Sequence, residues 1–152
     1  MAEDLIRSIA DRLEITDVVT RFHRAVDSGN FEALADVFTD DAVWDWVASD
    51  ATGEVADTAQ GRDNVIEWLR TAMSGSTVRH ATTGHLVELD DDRARSTSYM
   101  HVVDITTLES LANGFVTGEH RRTSSGWRMS RLRIDERIGN GSVDSMKKLL
   151  EL

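Results

Sequence analysis

The chain has 152 residues, of which 40% are hydrophobic and 29% are charged, and its formal net charge is −10. This length suits one domain with a buried core, and the acidic balance argues against binding to nucleic acids or anionic membranes, which need a basic surface. The absence of cysteine excludes disulfides, thiolate catalysis and cysteine-based zinc sites. No apolar run approaches the roughly 18 residues of a membrane span, and the acidic N-terminus differs from a signal peptide, so we expect a cytoplasmic protein.

The first part of the chain has the apolar spacing of helices. Apolar residues recur every three or four positions over residues 4–28, which predicts a long first helix. A short second helix is predicted over residues 31–38, with the polar run at residues 39–41 as its end. A third helix is predicted to follow Gly61-Arg62-Asp63 and to end at Gly75.

Strands dominate the rest of the chain. Residues 42–48 are predicted as a strand, and the small polar residues 49–60 as a loop. Four longer strands are predicted over residues 77–90, 93–108, 111–123 and 126–138. A short C-terminal helix is predicted over residues 143–151. Helices followed by sequential antiparallel strands indicate an α+β fold with the helices on one face of the sheet. No linker interrupts the pattern, so a single domain over residues 1–152 is expected.

Several short motifs follow one another in a characteristic order. They are FHRAVDSGNFEAL at residues 22–34, VFTDDAVW at 37–44, Gly61-Arg62 before the third helix, His80 early in a strand, and Arg122 to Arg128 around the last turn. Together they resemble the SnoaL-like family of the nuclear-transport-factor-2-like superfamily, over nearly the whole chain. The resemblance implies a cone-shaped α+β barrel, in which N-terminal helices cover a strongly curved, mostly antiparallel sheet and an internal apolar cavity.

Members of that superfamily differ in function. They include scytalone dehydratase, hexachlorocyclohexane dehydrochlorinase, bile-acid dehydratase, polyketide cyclases and ketosteroid isomerase, and also the non-catalytic small subunits of ring-hydroxylating dioxygenases. The fold alone therefore does not decide the function. In dehydratase-like members an aspartate at the end of the first helix pairs with a histidine on a strand, and Asp27 and His80 match these two by position. A tyrosine often stands about one turn before that aspartate, and Phe22 occupies its place here.

Asp27 and His80 supply the residue types that proton transfer needs. Elimination or isomerisation beside an activated carbon requires a base near neutral pH, and a carboxylate can orient a histidine for this role. Asp27 also lies in the last turn of the first predicted helix, where the helix dipole disfavours a carboxylate unless a cation lies nearby. The alternatives are that Asp27 is a solvated residue before a turn and that His80 is structural.

Strand alternation predicts which side chains share the face of His80. In a regular strand Val78, His80 and Leu86 lie on one face, directed inward, and His85 lies on the opposite face. This separation argues against a metal site shared by the two histidines. Gly84 between them is a potential bulge.

Further residues are predicted to line the cavity, with core packing as the alternative: Phe22, Trp44, Trp46, Trp68, Met100 and Phe115. Arg122 matches an arginine of the dehydrochlorinase-like pattern and would hold an anionic group of the substrate or the leaving group, unless it is a strand surface residue. His101 and Asp104 lie within reach of the cavity, although surface or edge roles fit them better. Trp127 is expected in the core.

These observations predict a cofactor-independent lyase, isomerase or cyclase, without a metal, that acts on a hydrophobic small molecule by Asp-His general acid-base chemistry. No phosphate-binding loop, serine nucleophile elbow or zinc motif occurs in the sequence. The alternatives are a non-catalytic small-molecule-binding domain and an assembly subunit similar to the dioxygenase small subunit. A curved sheet exposes one broad face, so a homo-oligomer, either a dimer or a trimer, is expected. The following arginines are expected on that outer face or at a subunit contact: Arg121, Arg128, Arg131, Arg133 and Arg137.

Overall fold

The computed structural model describes residues 1–48 and 55–138, without the side chains of Ala48, Arg137 and Ile138. The elements in chain order are α1 (Ala2–Ser28), a 3-10 helix (Phe31–Asp36), β1 (Phe38–Ala48), β2 (Asp57–Gln60), α2 (Arg62–Met73), β3 (Val78–Asp90), β4 (Arg93–Asp104), β5 (Ser110–Thr123) and β6 (Gly126–Ile138). The predicted helix over residues 143–151, the first half of the predicted loop and the side chain of Arg137 lie outside the described residues. Neither α1 nor α2 is long and apolar enough to cross a membrane.

The six strands form one curved, mixed sheet in the order β2-β1-β6-β5-β4-β3. β1 and β6 run parallel, and the other neighbouring pairs are antiparallel. α1 packs on β3 and β6, and α2 packs on β1. The predicted α+β fold, with N-terminal helices on a curved and mostly antiparallel sheet, is confirmed. The sheet itself is open, with β2 and β3 as its two edges among the described strands.

The core lies between α1 and the inner face of the sheet. Ile15, Val18 and Phe22 of α1 are almost completely buried in one cluster with Trp127 and Leu132 of β6. Burial of a large apolar side chain contributes about 1.5–3 kcal/mol, so this cluster fixes α1 against the sheet. The expected core position of Trp127 is confirmed.

The first strand is longer than predicted. β1 begins at Phe38 instead of residue 42, and the 3-10 helix ends at Asp36, so the polar run at residues 39–41 belongs to a strand. Phe38 is fully buried and pairs with Met129 of β6. The two aspartates of the polar run each bind an arginine of a neighbouring element, which balances their charge within the sheet.

Two other boundaries differ from the predictions. Residues 57–60, predicted as loop, form the edge strand β2, which pairs with β1 although it has no apolar face for a sequence pattern to reveal. β4 ends at Asp104, four residues earlier than predicted. The Asp104 carboxylate accepts hydrogen bonds from the backbone N–H groups of Thr106 and Thr107, and these bonds stabilise a turn in place of a continued strand.

A bulge in β3 determines which residues face the helices. Gly84 has a φ of 65°, and the pairing with β4 shifts between Thr83 and Leu86. His80 and His85 consequently lie on the same inward face, whereas Leu86 points outward with 69% of its surface exposed. The predictions that His85 faces away from His80 and that Leu86 shares its face are wrong, because both assume a regular strand.

Candidate active site

The structure brings Asp27, at the end of α1, into contact with His80, near the start of β3. Oδ1 of Asp27 lies 2.6 Å from Nδ1 of His80, and Oδ2 accepts a hydrogen bond of 3.0 Å from the backbone N–H of His80. The two side chains are largely buried, with 9% and 12% of their surfaces exposed. A single carboxylate thus holds both the ring and the backbone of one histidine, which fixes the orientation of the imidazole.

The position of Asp27 depends on where α1 ends. Gly29 adopts the left-handed conformation, with φ 70° and ψ 14°, and the N–H groups at this end of the helix donate to carbonyls of the last turn. The last turn contains no basic residue, so the dipole of α1 and the Asp27 carboxylate both favour a cation nearby. A protonated His80 meets that need, and the Nε atom of Arg79 lies 3.9 Å from Oδ2 of Asp27.

His80 lines a mostly apolar cavity of about 360 Å³ between the helices and the inner face of the sheet. Its walls include five of the predicted lining residues: Phe22, Trp44, Trp46, Trp68 and Met100. Most of the other wall residues are aliphatic, and sequence patterns did not single them out. Larger depressions of about 700 and 640 Å³ are lined mainly by charged and polar side chains and include neither residue of the Asp27–His80 pair. Size and lining make the smaller cavity the one suited to a hydrophobic small molecule.

Three tryptophans form one wall of this cavity. The ring of Trp68 lies 5.3 Å from the ring of Trp44 and 6.3 Å from that of Trp46. Nε1 of Trp46 donates to Oε2 of Glu136 at 2.8 Å, and Nε1 of Trp68 donates to Oδ2 of Asp57 at 2.7 Å. Nε1 of Trp44 is buried and has no acceptor among the described residues.

Two predicted substrate-binding residues do not reach the cavity, so those predictions are wrong. Phe115 lies on the outer face of the sheet with 52% of its surface exposed and packs against Tyr99, with 5.4 Å between ring centroids. Arg122 forms a two-bond ion pair with Asp11, at 2.8 and 2.6 Å, and lies over the ring of Trp127. Strand alternation turns the side chain of Phe115 outward. The guanidinium of Arg122 neutralises the nearly buried carboxylate of Asp11 on α1.

His101 and Asp104 have roles outside the cavity. The Nε2 atom of His101 lies 2.8 Å from the hydroxyl of Ser110 on β5. Asp104 accepts hydrogen bonds from Thr106, Thr107 and Thr77, and these donors lower its pKa to about 2. Neither side chain lines the cavity.

His23, which the sequence patterns did not single out, lies next to the Asp27–His80 pair and contacts His80. Its ring stacks on that of His80 with 5.3 Å between centroids, and only 4% of the residue is exposed. Neither ring nitrogen has a partner among the described residues. Burial first, and the nearby His80 second, lower the pKa of His23 to about 3, so its ring is neutral in the folded protein. The sequence signal for the burial of His23 is its spacing from Val19 and Val26, which places it in the apolar stripe of α1.

The arrangement of acidic and imidazole groups does not resemble a metal centre. Over residues 1–48 and 55–138, no three His, Asp or Glu side chains converge so that they could hold a metal ion. Both oxygens of Asp27 are already engaged by His80. What the geometry offers is a histidine with one nitrogen oriented by a carboxylate, at the wall of an apolar cavity.

Comparisons with solved structures agree with this fold. An NTF2-like protein with a cystatin-like fold from Novosphingobium aromaticivorans is 23% identical, with a TM-score of 0.75, and the match covers 96% of this chain and 93% of that one. A candidate aromatic ring hydroxylase from the same organism is 28% identical, with a TM-score of 0.68 and coverage of 84% and 89%. A candidate dehydratase of the NTF2-like family from Streptomyces avermitilis is 20% identical, with a TM-score of 0.69 and coverage of 84% and 96%.

The sequence itself also matches a family model. A comparison with curated proteins finds no match. The model of the SnoaL-like domain, in contrast, matches residues 7–133, which include most of α1, most of the cavity walls and the Asp27–His80 pair. The chain therefore belongs to the SnoaL-like domain family.

Proposed function

We propose that this protein is a cofactor-independent lyase, isomerase or cyclase that moves a proton on a hydrophobic small molecule. The observation that carries the proposal is the contact between Asp27 and His80 at the wall of the apolar cavity. Asp27 is the orienting carboxylate, His80 is the general base and acid, and the aromatic wall binds the apolar body of the substrate.

The protonation of His80 follows from its partner. An ionised carboxylate only accepts hydrogen bonds, so the proton of the neutral His80 ring lies on Nδ1, facing Asp27. Nε2 then keeps a lone pair that can take a proton from a substrate in the cavity. The second bond, from the backbone N–H of His80 to Asp27, holds the ring in this orientation before the substrate arrives.

The proposed reaction starts with removal of a proton from an activated carbon. The C–H bond breaks, its proton moves to Nε2 of His80, and its electron pair forms a double bond as a leaving group departs or as charge moves to an adjacent oxygen. The imidazolium that results is stabilised by the Asp27 carboxylate, in a site that is largely closed to water. Transfer of this proton from Nε2 to the leaving group completes an elimination, and its transfer to another carbon completes an isomerisation.

The comparisons support this class of activity. The chain belongs to the SnoaL-like family, and its structural relatives include a candidate dehydratase, although they also include a candidate aromatic ring hydroxylase. A non-catalytic binding domain would need the cavity, and an assembly subunit would need the outer face. Neither would need a base oriented by a carboxylate. The Asp27–His80 geometry therefore favours the enzyme over both alternatives.

The test is to measure turnover by the wild-type protein and by the variants Asp27→Asn and His80→Gln. The substrates are an aryl β-hydroxyketone for dehydration, a β,γ-unsaturated ketone for isomerisation and a polychlorinated cyclohexane for dehydrohalogenation. We expect turnover of at least one compound, with kcat reduced about 10²- to 10⁴-fold in His80→Gln, since this range is typical for the loss of a general base. The matched controls are His101→Gln, on the outer face, and Asp17→Asn, exposed on α1, and both should keep wild-type turnover. Equal turnover by the wild type and His80→Gln would refute the proposal.

A further inference from the structure

We propose that the indole N–H of Trp44 binds an acceptor oxygen of the ligand, so that the substrate is an apolar molecule carrying a carbonyl group. This inference rests on the proposed function, because it assigns a second contact within the same cavity. It adds a residue that determines specificity and a chemical feature of the substrate that the apolar lining does not indicate.

The starting observation is a donor without an acceptor. Trp44 is 4% exposed and lines the cavity, and its Nε1 atom is buried with no acceptor among the described residues. An indole nitrogen can only donate, so no change of tautomer can satisfy it. Buried donors in folded proteins are nearly always bonded, so an exception in the wall of a cavity calls for a partner that the described residues do not supply.

The other two tryptophans of the wall differ from Trp44, because their indole N–H groups have acceptors. Trp46 and Trp68 also line the cavity, yet the indole of each donates to a carboxylate, Glu136 or Asp57, at 2.8 or 2.7 Å. Of these three indoles, only that of Trp44 has no acceptor among residues 1–48 and 55–138.

On the side of α1, Trp44 packs against an apolar ring. The ring of Phe22 lies 5.9 Å from the ring of Trp44 and 4.8 Å from that of His23, which stacks on His80. Phe22 therefore packs against both Trp44 and His23, and Trp44 and His80 line the same cavity. The N–H of the neutral His80 is already directed at Asp27, so a ligand oxygen on this wall must find its donor elsewhere.

A carbonyl group on the ligand would use both His80 and the indole of Trp44. A C–H bond becomes acidic beside a carbonyl, which gives His80 a proton that it can remove. As that proton moves to Nε2, negative charge develops on the carbonyl oxygen, and a buried N–H donor binds the charged oxygen more strongly than the neutral one. A hydrocarbon of the same shape would accept no hydrogen bond from Trp44, and an alcohol oxygen could accept one but would not develop this negative charge.

The experiment uses two probes of nearly equal shape, 2-acetylnaphthalene and 2-isopropenylnaphthalene, which differ by a carbonyl oxygen in place of a methylene carbon. Dissociation constants of both are measured by calorimetry for the wild type, Trp44→Phe, Trp46→Phe and Asp27→Asn. We expect the wild type to bind the ketone about 3- to 10-fold more tightly than the alkene, the range for one neutral hydrogen bond. Trp44→Phe should lose this preference, whereas Trp46→Phe, whose indole is already bonded, and Asp27→Asn should keep it.

The second measurement is NMR spectroscopy of the wild-type protein, and a variant is needed only to assign one resonance. The protein has four tryptophans, so a ¹⁵N-labelled sample has four indole N–H resonances, and that of Trp44 is the one missing in Trp44→Phe. The ketone should shift this resonance downfield, and the alkene should not. Equal affinities together with an unmoved Trp44 resonance would overturn the Trp44 proposal and leave the cavity and the Asp27–His80 pair unaffected. Failure of both probes to bind would overturn the Trp44 proposal together with the proposed use of the cavity.

Discussion

Replacing the buried His23 by leucine should stabilise the protein, and more strongly in acid than at neutral pH. His23 is 4% exposed, and neither of its ring nitrogens has a partner among the described residues. An unsatisfied buried polar group costs about 1–3 kcal/mol, and leucine has a similar volume without this cost. We therefore expect His23→Leu to raise the free energy of unfolding by about 1 kcal/mol near pH 8.

The additional effect in acid follows from proton linkage. Burial lowers the pKa of His23 to about 3 in the folded protein, whereas in the unfolded chain it is about 6.5. Below pH 6.5 the unfolded chain binds a proton that the folded protein cannot take until about pH 3, so stability falls as the pH falls through this window. With these two pKa values, linkage gives a loss of roughly 2 kcal/mol between pH 8 and pH 5, and any folded pKa below about 4 gives nearly the same loss.

The assay is urea unfolding followed by tryptophan fluorescence at pH 8 and at pH 5. His23→Leu should gain about 2 kcal/mol more over the wild type at pH 5 than at pH 8, because leucine has no proton to bind. Val18→Ala, a fully buried position on the same helix without a titratable group, is the control, and its effect should be the same at both pH values. A stabilisation by His23→Leu that does not change with pH would show that the imidazole is protonated as readily in the folded protein as in the unfolded chain.

Two further predictions concern stability away from the cavity. A Cβ atom at Gly114 would overlap the backbone carbonyl of Asp135 on β6, so Gly114→Ala should lower the free energy of unfolding by about 1–3 kcal/mol in urea unfolding. A much smaller loss would show that the two strands can separate locally. Arg122→Gln leaves the nearly buried Asp11 without its ion-pair partner and should cost roughly 2–3 kcal/mol, whereas Arg121→Gln, at an exposed ion pair, should cost less than about 1 kcal/mol by the same assay. Equal losses for the two arginine variants would contradict the assigned role of Arg122.

Local sequence patterns located the elements that place the site, but not all of their boundaries. The apolar spacing of α1 and the β-branched runs of β3 to β6 depend on residues close in sequence, and those elements lie close to where they were predicted. β2 lacked such a signal, because its strand geometry comes from pairing with β1 and not from an apolar face of its own. The early start of β1 has the same cause, since Phe38 extends the strand by pairing with β6.

The sequence by itself determined the α+β architecture and, through the family resemblance, the choice of Asp27 and His80 for the site. Only the tertiary structure decided how the two meet, because their contact joins the end of α1 to β3 across 53 residues. The bulge at Gly84 turned His85 inward, a change of register that alternation along a single strand cannot predict. Contacts between different elements likewise decided which tryptophan of the cavity has no acceptor in the described part of the chain, since these pairings exist only once the elements have packed together. The site thus combines residue types that local sequence reveals with contacts that only the packing of helices on the sheet creates.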